Sequence, residues 1–156
     1  MTIDLSSSAF TEGQTIPIRH TGDGPDMSPH LKWTDPPEET KSFTLICEDP
    51  DAPRGTWTHW VAFNIPGTAR ALNEAVAKQP SLGDGTLQGT NDFGNIGYGG
   101  PAPPPGKPHR YFFRIYAVDM LLELPKGARK DQVLAALRGH ILAEGQLMGA
   151  YGRSKR

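Results

Sequence analysis

The chain has 156 residues, a formal net charge of -1 and 21% charged residues, so it offers no basic field to nucleic acid or to an anionic membrane surface. Fifteen prolines and 18 glycines are many for a helical protein and suit a turn-rich β fold, while 37% apolar residues exclude a disordered composition. That length makes one domain, 1–156, and the single cysteine, Cys47, excludes an intrachain disulfide.

The first ten residues, MTIDLSSSAF, lack the basic and apolar regions of a signal peptide. No apolar run approaches the roughly 18 residues of a membrane span. A cytoplasmic protein is expected. Ile3-Asp4-Leu5 alternates and predicts a short first strand. Residues 10–18 carry Gly13 and Pro17 and allow short edge strands at best. Residues 20–29 form a polar loop, and Leu31-Lys32-Trp33-Thr34 reads as a strand stopped by Pro36 and Pro37. The stretch 45–66, LICEDPDAPRGTWTHWVAFNIP, reads as strand, acidic turn, strand. Its first strand covers 42–48 and its second 60–65. Two prolines and a glycine fix the connection. Asp49 and Asp51 thereby emerge at the mouth of one strand and His59 enters the next. The Ala52–Pro53 bond is expected to be cis, because the turn must redirect the chain within few residues.

Residues 69–78 read as loop with at most one helical turn. Residues 81–106, with Gly83, Gly85, Gly89, Gly94, Gly97, Gly99 and Gly100, form a long irregular segment of the kind that carries function. The strongest strand is YFFRIYAV at 111–118; apolar on both faces, it belongs in the middle of a sheet. The spacing of Val133, Leu134 and Leu137 predicts a helix over 131–138, ended by Gly139. Residues 141–151 fit either a second short helix or a short helix running into a last strand over 146–153.

Two strand-plus-loop units thus each present a histidine beside a proline-stiffened turn, His59 in one and His109, with Tyr111, in the other. The motifs DPDAP at 49–53, THWVAFNIP at 58–66 and GYGGPAPPPGKPHRY at 97–111 resemble the phosphatidylethanolamine-binding protein family. SPHLKW at 28–33 and GHILAEGQLMGAYGR at 139–153 extend the likeness to its bacterial, Raf-kinase-inhibitor-like branch. The resemblance implies a mainly β fold: a large central sheet packed on a smaller one, with short peripheral helices. It also implies an anion pocket at one end of the sheet that takes a phosphorylated head group or a similar small anion. Its ligand-binding positions would be Asp49, His59, Gly100, Pro101, His109 and Tyr111, supported by Asp51, Pro53 and Trp57. Two departures stand out. The connection from Pro53 to Trp57 is short, so the aromatic wall that a longer loop supplies in eukaryotic members is missing, and Gly22 stands where many bacterial members have cysteine. A partner is implied as well, a kinase or protease inhibited through the same surface, and so is a homodimer. The exposed apolar residues of the glycine-rich loop, Phe93, Ile96 and Tyr98, would give such a dimer its cover.

The residue types suit an oxyanion. Histidine donates a hydrogen bond and gains charge on protonation, and glycine-rich backbone can turn its N–H groups inward. Asp49 would orient one histidine or accept from an ammonium group. On this reading protonated His59 and His109 bind phosphate best, and affinity falls as pH rises. Asp51 reads as a turn-former, Trp57 and Trp60 as packing, and His20, His30 and His140 as structural or surface residues. Cys47 reads as an inert buried thiol. A metal site of His59, His109 and Asp49 lacks the usual ligand pair in sequence, and no cofactor or metal is expected. A hydrolase using Asp49 with His59 to activate water remains an alternative, although no nucleophile elbow is present.

Overall fold

The computed structural model describes residues 2–154. Its frame is an antiparallel five-stranded sheet built from β3 (Ser42–Asp49), β4 (Trp57–Pro66), β6 (Leu87–Gln88), β7 (His109–Val118) and β8 (Ile141–Tyr151), in the order β6-β4-β3-β7-β8. A smaller sheet, β1-β2-β5, comprises β1 (Leu5–Ser6), β2 (Leu31–Trp33) and β5 (Ala71–Leu72). β3 is the middle strand, and β7 lies beside it in the interior of the sheet. β3 is buried almost throughout and reads as a nearly continuous apolar run, whereas β7 is buried on one face and half-buried on the other.

Alternate residues along the strands separate two cores. Phe43, Leu45, Cys47, Trp60, Phe113 and Ile115 face the smaller sheet, where they meet Leu31 and Trp33. Val61, Phe63 and Val118 face the other way, onto Leu122, Ala128, Val133 and Leu137. Val133 and Leu137 belong to α1 (Lys130–Leu137), which covers that side. The helix starts where Gln132 Oε1 accepts the Arg129 N–H at 2.9 Å and stops at Gly139, whose φ of +79° is left-handed. Its sequence-predicted extent is displaced by one residue, and Leu134, 37% exposed, is not on its buried face. Phe113 and Trp60 are both fully buried; truncating either to alanine would cost about 3–5 kcal/mol.

Three expectations are corrected. Residues 141–151 are neither a helix nor a helix-then-strand but one eleven-residue strand, β8, paired along β7 from His109↔Tyr151 to Val118↔Ile141. Residues 10–18 form no strand; they lie against β8 through the Thr15↔Ala150 bridge and lead into a 3-10 turn at Ile18–His20. The Ala52–Pro53 bond is trans, as are the other peptide bonds of the described residues. The acidic turn is made instead by Asp49 Oδ1, which accepts the Asp51 N–H at 2.7 Å, and by Gly55 at φ +111°.

The antiparallel order brings three strand ends to one edge of the sheet. Asp49 closes β3 opposite Trp57, which opens β4, and Glu48 pairs with Phe112, three residues into β7. Asp49, His59, His109 and Tyr111 therefore arrive together from three strands.

Candidate functional site

At this end lies a cavity of about 180 Å³ lined by Asp49, Ala52, Pro53, Trp57, His59, Phe93, Ala102, Pro103, Pro104, His109 and Tyr111. Larger clefts occur, such as one of about 420 Å³ between Thr2–Leu5 and the Arg114–Glu144 region. The smaller cavity gathers two imidazoles, a carboxylate and a phenol.

The two histidines are held alike. His59 Nδ1 stands 2.6 Å from the Gly99 carbonyl, and His109 Nδ1 stands 2.7 Å from Asp49 Oδ2. A carbonyl and an ionised carboxylate only accept, so both Nδ1 atoms carry hydrogen. Among the described residues neither Nε2 has a hydrogen-bond partner. Burial pushes the His59 imidazole below the ordinary histidine range, against the pull of the Gly99 carbonyl and the Asp49 charge. Tyr111 packs edge-on against His59, with ring centres 5.2 Å apart, and stacks on His109 at 6.5 Å. Burial, with the nearby Asp49 charge, raises the Tyr111 phenol well above its usual range and keeps its hydrogen in place.

Asp51 does not enter the cavity lining. Its carboxylate takes two side-chain hydrogen bonds from Arg110, at 3.0 and 2.9 Å, and the Arg110 backbone N–H at 2.9 Å. This grip holds the Asp51 carboxyl at about 2. The carboxylate that forms the turn is Asp49, not Asp51.

Gly100 and Pro101 are not among the residues that line the cavity. The Gly100 N–H donates to Asp26 Oδ1 at 2.7 Å, and the Pro101 carbonyl accepts the Gly22 N–H at 2.8 Å. The Gly99 N–H is engaged too, by the His59 carbonyl at 2.9 Å. The glycines thus bring backbone close to His59 and Thr21 without presenting a nest of free N–H groups. A Cβ on Gly100 would run into the His20 carbonyl.

Sequence reasoning missed Phe93. Its ring meets His59 at 5.4 Å and Trp57 at 5.5 Å, both edge-on, and supplies the aromatic wall that the short 53–57 connection does not. The signal was local. Asn91 Oδ1 accepts the N–H groups of Phe93 and Asn95, and Asp92 Oδ2 accepts that of Thr58, so the NDFGN turn is pinned to the start of β4. Tyr98 is buried, with its hydroxyl on the His20 carbonyl at 2.6 Å, and Phe93 is half-covered by its neighbours.

The hydrolase alternative paired Asp49 with His59, but Asp49 is bonded to His109. Cys47 is buried, and desolvation, with the charges of Glu48 and Asp49, raises its thiol far above the reactive range. His20 is buried with Nδ1 on the Met27 carbonyl, and His140 pairs through Nδ1 with Asp119 at 2.8 Å. Among the described residues no cluster of three metal-ligating side chains occurs, and no helix is long and apolar enough to cross a membrane.

The sequence profile described as phosphatidylethanolamine-binding protein matches residues 6–152. The chain belongs to the phosphatidylethanolamine-binding protein family. Within it, the chain is 51% identical over 151 residues to a UPF0098 protein of Methanothermobacter thermautotrophicus, covering 97% of this chain and 99% of the relative. Among solved structures it is similar to the Chlamydia trachomatis protein CT736, described as a homologue of the family, with a TM-score of 0.89 and 39% identity, covering 98% and 99% of the two chains. Escherichia coli YbcL, described as a member of the mammalian family, superposes with a TM-score of 0.90 at 32% identity, covering 97% and 99%. The mainly β, two-sheet fold is therefore that of phosphatidylethanolamine-binding proteins.

Proposed function

We propose that the cavity at the ends of β3, β4 and β7 binds a small oxyanion, with a phosphorylated head group as the best-fitting class. The observation that carries this is the convergence of His59, His109 and Tyr111 on a cavity of about 180 Å³. That is smaller than the roughly 300–1,000 Å³ of a drug-sized cleft and suits one head group. Phe93, Trp57 and the Pro103-Pro104 wall give an ester arm apolar surface. In this reading Asp49 does not touch the anion; it fixes the tautomer and orientation of His109. Titrating phosphoethanolamine into labelled protein tests it. The imidazole signals of His59 and His109 should shift saturably, and His109→Ala should abolish the shift at His59. Unmoved imidazoles at millimolar ligand would defeat the reading.

The Asp49–His109 contact favours one second reading, hydrolysis, because a carboxylate behind Nδ1 leaves Nε2 able to accept a proton from water. Turnover of phosphate esters that depends on Asp49 and on His109 would support it. The inhibitor role, in which a kinase or protease docks over the exposed Phe93 rim, would be supported by a partner whose capture depends on Phe93.

A further inference from the structure

We infer that the cavity takes up its anion together with one proton, and that His109 carries this proton on Nε2. The inference deepens the anion-binding reading and rests on it. Its starting point is charge. Anion sites for phosphate usually supply arginine, lysine or free backbone N–H groups. Among the described residues no lysine or arginine lines this cavity, and the one formal charge in its lining is the carboxylate of Asp49. Three cations nearby are engaged elsewhere. Arg110 is bound to Asp51, Lys78 to Asp26, and Arg153 to Asp23. Lys107 and Arg110 border the adjoining cleft beside His109 rather than the cavity. Asp92, under Phe93, accepts the Thr58 N–H and adds negative rather than positive charge.

Hydrogen-bond donors are few and uncharged. Both Nδ1–H groups are directed away from the ligand, onto Gly99 and Asp49, so each neutral ring offers the cavity a lone pair. The N–H groups of Gly99 and Gly100 are spent on His59 and Asp26. Pro53, Pro103 and Pro104 have no N–H to give. The donors left in the lining are all neutral: the backbone N–H groups of Ala52 and Ala102, the Tyr111 hydroxyl and the Trp57 indole, whose Nε1 is shielded and has no hydrogen-bond partner. Two lone pairs and a carboxylate facing an anion would repel it. One added proton turns an Nε2 lone pair into a charged donor and removes both problems.

The two rings compete for that proton on unequal terms. His59 is enclosed and backed by a neutral carbonyl, and its burial opposes charge. His109 is backed by the Asp49 carboxylate, which stabilises an imidazolium. The proton therefore goes to His109, while His59 stays neutral and receives a hydrogen bond from a ligand hydroxyl, ammonium or water.

Calorimetry with glycerophosphoethanolamine tests this between pH 6 and 8, where the phosphodiester keeps a single charge. Titrations in two buffers of different ionisation enthalpy at pH 8 should give heats that differ by close to one proton per site. The dissociation constant should rise toward tenfold per pH unit at the alkaline end. His109→Gln, whose amide N–H replaces the Nε2 donor without charge, should bind with no proton uptake and a flat pH profile, while His59→Gln keeps both effects. Nitrogen NMR of the unmodified complex should show His109 as the doubly protonated ring, which needs no variant to fold. Saturable binding with equal heats in both buffers would overturn the inference and leave the anion reading intact. Proton uptake that persists in His109→Gln would overturn its assignment to His109. No saturable binding at any pH would remove the anion reading and this inference with it.

Discussion

His59 and His109 occupy the same cavity and use the same ring atom, yet their surroundings make them different reagents. His59, 3% exposed, faces a carbonyl that backbone geometry cannot remove. His109 has a side chain 11% exposed and faces a carboxylate that is itself held by the turn it caps. The comparison teaches that an imidazole's role is set behind it. A carbonyl at one Nδ1 and a carboxylate at the other both fix a tautomer, but only the carboxylate brings a formal charge to its ring.

The largest break comes from Asp49→Ala. It removes a buried acceptor of two hydrogen bonds and strands the His109 Nδ1–H, so unfolding free energy should drop by about 2–4 kcal/mol in urea titrations. Asp49→Asn sharpens the same point at lower cost. Its amide can donate to His109 Nδ1, which would move the ring hydrogen to Nε2, and imidazole nitrogen shifts would report the change of tautomer. Unaltered shifts would show that the carboxylate does not set the tautomer.

Gly99→Ala strikes the other histidine. The added methyl would stand 2.7 and 2.9 Å from the Phe93 ring and 3.3 Å from Asn91 Nδ2. Phe93 must swing off His59, and a loss of about 1–2 kcal/mol is expected, with altered Trp57 fluorescence. A variant as stable as the parent, with Phe93 in place, would mean the ring is not seated on Gly99.

A smaller effect separates the two rings by pH. Burial holds the folded-state His59 below its unfolded value near 6.5. As pH falls through that value the unfolded chain binds a proton that the folded chain refuses, so stability drops until the folded value is reached. Urea midpoints at pH 7.5 and 5.0 should therefore fall more for the parent than for His59→Gln. The smallest effect is expected from Arg110→Gln, beside His109 but outside the cavity. Asp51, held at about 2 by Arg110, contributes stability above the ordinary carboxylate range that is lost as pH falls through about 2. In Arg110→Gln its carboxyl carbon should titrate nearer the ordinary value in carbon NMR.

What the sequence made legible follows from where each signal is local. β3, β4 and β7 were readable because runs of apolar and aromatic residues mark them, and the acidic turn because prolines and glycine punctuate it. β8 was not, because Leu, Ala, Glu, Gln and Met within residues 141–151 favour a helix in isolation. Pairing with β7 overrides that preference. Gly145 and Gly149 fit the override, since a Cβ on either would strike Ile3 or the Phe10 and Ile16 side chains. At the site, His59, His109, Tyr111 and Asp49 were identified through their motifs, but which imidazole Asp49 grips was not. That contact joins residues 60 positions apart and depends on strand order. Phe93 escaped because its role lies in what its ring touches, not in its loop's composition.

The covering of β8 has a consequence for the chain's behaviour in a crowd. One margin of the five-stranded sheet is β6, only two residues long. The other is β8, whose outward carbonyls are taken by the N–H groups of Ile3, Gly13 and Ile16 on Glu144, Met148 and Ala150 at 2.9, 2.7 and 2.8 Å. The N-terminal segment thus acts as a fender along a margin that would otherwise recruit strands from neighbouring molecules. Undocking of residues 2–16 would uncover that margin, so cleavage there is expected to promote strand-to-strand association between molecules.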